Sequence, residues 1–86
     1  DIRMPKNGDF VSSPFTAEAA ISGSEDIVRI QTIMNGMIVM DEQIPPTKSY
    51  VYRSVVTAPL SMQNKFSIKA YSQKGETTSE IIIFGR

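Results

Sequence analysis

The chain has 86 residues, 41% of them hydrophobic and 21% charged, which suits one small core and excludes a disordered segment. Nine Lys and Arg balance nine Asp and Glu, so the basic excess of a nucleic-acid binder is missing. Cys and His are both absent, which removes disulfides, thiolate sites, the commonest general base and the commonest metal ligand.

A single domain over 1–86 is expected. Ile2 and Met4 read as a short first strand, ended by the turn residues Pro5 to Gly8. Phe10 and Val11 continue as an extended piece, and Pro14 suits a sheet edge, where a missing N–H is harmless. "FTAEAAIS" alternates, with Phe15, Ala17, Ala19 and Ile21 on one face and Thr16, Glu18, Ala20 and Ser22 on the other. "GSED" at Gly23 to Asp26 is expected to turn the chain.

Ile27, Val28, Ile30, Thr32 and Ile33 are stiff at χ1 and favour a pleated strand over a helix nucleated at Ser24. On simple alternation Ile27 and Ile33 lie opposite Val28, Ile30 and Met34. Asn35-Gly36 then forms a two-residue hairpin, because both central positions of a primed turn need φ > 0. The paired strands are expected over 27–34 and 37–44, with Pro45-Pro46 stopping the second.

Tyr50 to Val56 form the next strand, and Leu60 plugs the core from the following loop. "FSIKAYS" turns Phe66, Ile68 and Ala70 inward and Ser67, Lys69 and Tyr71 outward; Gln73 to Glu76 turn the chain. "TTSEIIIF" closes it, with Ser79, Ile81 and Ile83 inward and Glu80, Ile82 and Phe84 outward. About seven short strands between turn signals predict an all-β fold, an antiparallel two-sheet sandwich.

"PKNG" followed by "FVSSPF", an Asn-Gly hairpin after "IVRI", and "FSIKAYSQKG" near the end resemble bacterial immunoglobulin-like domains of the fibronectin type III-like kind. The resemblance runs from Ile2 to Phe84, through core and turn positions. It implies a β-sandwich from extracellular or cell-envelope proteins, often in tandem, that spaces or supports catalytic, adhesive or surface-layer modules. The chain departs from many such domains in lacking Trp.

Chemistry is sparsely encoded. Ser and Thr lack a His partner, and neither a G-x-S-x-G elbow nor an S-x-x-K pattern occurs. The expectation is no enzyme, no cofactor and no metal site. The acidic pairs Glu25-Asp26 and Asp41-Glu42, with Asp9 nearby, lack an EF-hand pattern, and neighbours on a strand point to opposite faces. No apolar run, Ile81 to Phe84 included, approaches the ~20 residues that span a bilayer, so membrane insertion is not expected.

Both faces of the central hairpin and of the last strand are apolar, which a solvated sandwich does not need. Ile33, Met37, Val39, Ile82 and Phe84 are therefore the candidate contacts for a partner, either an adjoining domain or another copy. An alternative is an accessory glycan-binding domain using Tyr50, Tyr52 and Tyr71 as a platform.

Overall fold

The computed structural model describes residues 1–86, and every regular element in it is a strand. These are β1 (Ile2–Met4), β2 (Phe10–Val11), β3 (Phe15–Met34), β4 (Met37–Val56), β5 (Gln63–Ser72) and β6 (Gly75–Gly85). The fold is all-β, as its alternating apolar pattern requires. The six strands form one hydrogen-bonded mixed sheet in the order β1-β3-β5-β6-β2, with β4 on the remaining side of β3.

Two expected breaks are absent. β3 and β4 each run for 20 residues, straight through Gly23–Asp26 and through Pro45-Pro46. Gly23 keeps φ outside the left-handed region, so its stretch is extended rather than turned. The prolines are tolerated because β4 pairs only with β3, and a proline on a free edge forfeits no ladder bond. Hence six strands form where about seven were expected, and one pair, β2 with β6, is parallel.

Strands this long cannot stay straight, and β3 changes its second partner partway along, from β1 to β5, while β4 stays with β3. Between Ser22 and Ile27, β3 loses its regular pairing with β4. Before it, Phe15–Ser22 pair with Ser49–Val56 and with β1; after it, Ile27–Met34 pair with the first half of β4 and with β5. Side chains of the two halves meet. The Phe15 and Phe66 rings pack edge to face at 5.5 Å, and Thr32 Oγ1 lies 2.8 Å from Tyr52 OH.

The core is a cluster of 14 buried apolar residues drawn from β3, β4, β5, β6 and the loop at Ala58. Phe15, Ala17, Ala19, Phe66, Ile68, Ala70 and Ile83 take their expected inward places, and Ile21, Leu60 and Ile81 pack partly against them. Ile27 does not follow simple alternation. A register shift between Ile27 and Arg29 puts it on the core side with Ile30 and Met34.

The body measures 37 × 19 × 18 Å. Antiparallel register places Met34, Asn35, Phe66 and Phe84 toward one end of the long axis, and Ser22, Ser49, Ser72 and Gly75 toward the other. These are called the Asn35 end and the Ser24 end. Asp1 bonds with Ala20 toward the Ser24 end, whereas Arg86 emerges at the Asn35 end.

Candidate functional site

The Asn35 end is built by two asparagines. Asn35 and Gly36 both take positive φ, 52° and 84°, as the primed turn demands. The Asn35 amide nitrogen donates to Asn64 Oδ1 at 3.0 Å, and its Oδ1 accepts the Lys65 N–H at 2.8 Å. Asn64, only 1% exposed, also accepts the Ser61 N–H and donates to the Ser61 and Ile83 carbonyls. One buried amide thus ties hairpin, loop and last strand together. Sequence reading passed over it, since only tertiary pairing makes the polar run Gln63–Lys65 a strand start.

Around this frame lie exposed apolar side chains. Met62 is 88% exposed, Met37 71%, Phe10 61% and Ile38 56%. The Phe10 and Phe84 rings pack at 5.3 Å, which leaves Phe84 half-buried, and Ile33 and Ile82 are half-buried as well. Val39 packs partly against the core. Of the five expected contacts, Met37 is the most open, while Phe10, Ile38 and Met62 are further exposed apolar side chains.

A second assembly covers the outward face of β4, β3 and β5. Arg29 donates two hydrogen bonds to Asp41, at 2.7 and 2.5 Å, and Gln31 donates to the same carboxylate at 3.1 Å. Tyr71 OH donates to Gln31 Oε1 at 2.8 Å, and the Arg29 guanidinium sits 5.4 Å from the centre of the Tyr71 ring, closing the loop. Hydrogen bonds from Arg29 and then Gln31 hold the Asp41 carboxyl down at about 2, against an ordinary 3.8. The bond to Asp41 in turn raises the Arg29 guanidinium above its ordinary value.

A carboxyl held low in the folded state stabilises that state above its ordinary value and stops doing so as pH falls through the folded one. Part of the acid destabilisation between about pH 4 and about pH 2 therefore belongs to Asp41. Asp41→Asn is expected to lower stability at neutral pH and to flatten the pH dependence across that window. Urea titrations at a series of pH values check this; an unchanged slope contradicts it.

The third feature is a cavity of about 280 Å³ at the Ser24 end, between the β1–β3 side and the β5–β6 side. Ile2, Ile27, Ile68 and Ala70 supply apolar lining, and Ser72, Thr77 and Ser79 supply hydroxyls. Asp1 and Glu25 also contribute to its wall.

The tyrosines do not form a platform. Tyr52 is 1% exposed, with its hydroxyl between Thr32 and the Met40 sulfur, and Tyr50 packs partly against the core. Tyr71 lies on the outward face with Arg29. Asp41 is occupied by Arg29 and Gln31, and Glu25 is paired with Lys74 at 3.3 Å. No three His, Cys, Asp or Glu side chains come together. No protein-family model, curated protein or solved structure matches the chain.

Proposed function

We propose that the chain is a non-catalytic structural module of a secreted or cell-surface bacterial protein, holding neighbouring domains or subunits through its ends. In this reading the single hydrogen-bonded sheet doubles over as an immunoglobulin-like two-layer sandwich. Support comes from the exchange of β1 for β5 as second partner partway along β3 and from the Phe15–Phe66 and Thr32–Tyr52 contacts between the halves.

The observation that carries the function is the direction of load. Asp1 and Arg86 lie toward opposite ends of the long axis, so tension between them runs along the strands. β2 and β6 are parallel; β2 is drawn from its start and β6 from its end, in opposite senses. Their cross-bonds lie across that direction and must fail together instead of one at a time. These are Gly8 N–H to the Ile82 carbonyl at 2.7 Å, Phe84 N–H to the Asp9 carbonyl at 2.8 Å and Arg86 N–H to the Val11 carbonyl at 3.0 Å. The Asn7 side chain adds a fourth, accepting the Ile82 N–H at 2.8 Å.

Single-molecule extension through residues 1 and 86 tests this. Unfolding in one step is expected, with Asn7→Ala lowering the force because the Ile82 N–H loses its acceptor. Gradual lengthening at low force, or an Asn7→Ala trace identical to wild type, counts against a load-bearing module.

A further inference from the structure

The two ends of the body complement each other. Counting side chains alone, the Asn35 end carries three cations, Lys6, Lys65 and Arg86, against one anion, Asp9. The Ser24 end carries four anions, Asp1, Glu25, Asp26 and Glu76, against three cations, Lys48, Lys74 and Lys69, the last reaching Glu76 at 3.7 Å. The other seven charged side chains, three basic and four acidic, lie between. The body is 37 Å long, several times the ~8 Å screening length at physiological ionic strength, so each end presents its own sign to a neighbour.

Apolar demand is divided the same way. Met37 and Met62 project from the positive end, and the cavity floored by Ile27, Ile68 and Ala70 lies at the negative end. Unbranched thioether side chains adapt to an irregular recess better than branched ones. Lateral pairing is the weaker route, because the free edge of β4 carries Pro45 and Pro46, which have no N–H to offer.

We propose that the domain stacks end to end with a second copy, the Met37–Met62 end of one seated on the cavity-bearing end of the next. This rests on the structural-module reading and names the partner of its ends. The contact is heterologous, so it generates linear assemblies and not closed dimers.

Sedimentation velocity on the isolated chain, over a range of protein and salt concentrations, tests the proposal. Wild type is expected to associate more strongly as salt falls. Met62→Gln, at a position with no packing role, is expected to weaken association about tenfold with an unchanged circular dichroism spectrum. Two charge-reversed chains make the test specific. Lys6→Glu with Lys65→Glu gives a chain negative at both ends; Glu25→Lys with Asp26→Lys gives one positive at both ends. Each alone is expected to stay monomeric, and an equimolar mixture is expected to recover assembly by alternation. Wild type that is monomeric throughout, or association untouched by Met62→Gln and by both reversals, overturns the stacking. Neither result bears on the response to tension, which the extension experiment decides separately.

Discussion

Phe66→Ala is expected to lower the free energy of unfolding by about 3–5 kcal/mol, a large share of the roughly 4–13 kcal/mol available to a domain this size. Phe66 is fully buried, pairs with Met34 on β3 and Ile81 on β6, and meets Phe15 edge to face. Its removal opens a void where the halves of β3 come together, and the alanine backbone cannot relax into it without breaking two ladders. Phe66→Leu keeps most of the volume and should cost about 1.5 kcal/mol or less. Denaturant titration of both variants checks the pair. Equal, small losses would mean that the halves of β3 do not pack through this ring.

Asn64→Ala is expected to be nearly as damaging, although an exposed asparagine in such a run is ordinarily replaceable. Its amide serves the Ser61 N–H, the Ser61 and Ile83 carbonyls and the Asn35 side chain, and it is almost fully enclosed. Each enclosed group left without a partner costs about 1–3 kcal/mol, so a total loss of about 2–4 kcal/mol is expected. Asn64→Asp separates the polar role from the packing role. A carboxyl there faces two carbonyl oxygens, so burial and repulsion raise its ionisation point, and stability should fall as pH rises through it. A mild, pH-independent effect of both variants would remove Asn64 as the organiser of the Asn35 end.

The alternating pattern was legible from single residues. Phe15-Ala17-Ala19, Phe66-Ile68-Ala70 and Ile83 read correctly as inward, because a pleated strand maps parity onto face with no further information. The Asn35-Gly36 hairpin was legible for a local reason too, its two positive φ angles. Irregular pairing defeated parity elsewhere. Counting back from the turn sets Gln31 opposite Met40, yet one extra residue at Val39 shifts the ladder and puts Asp41 there. That shift creates the Arg29–Asp41–Gln31–Tyr71 loop, which no spacing rule announces.

Composition also misled at Gly23–Asp26 and at Pro45-Pro46. Turn-forming residues do not turn a chain that is held extended by pairing before and after them. The tyrosine platform failed for a related reason. Tyr50 and Tyr52 share a strand face, but that face is the core side, where Tyr52 satisfies its hydroxyl against Thr32 and Met40. Of the expected contact residues Met37 is exposed while Ile82 and Phe84 are half-buried; the most open apolar side chain, Met62, sits in a loop whose direction the residue pattern does not reveal.

The load-bearing account is tested most directly by comparing two pulling directions on one molecule. The chain contains no Cys, so a pair of introduced thiols fixes the handles uniquely. Handles at residues 1 and 86 load β2 against β6 along their length, whereas handles at 62 and 86 part β6 from β5 one cross-bond at a time, since both positions lie at the Asn35 end. The unfolding force should be markedly higher in the first geometry. Equal forces, or a lower force between the chain ends, would contradict the account.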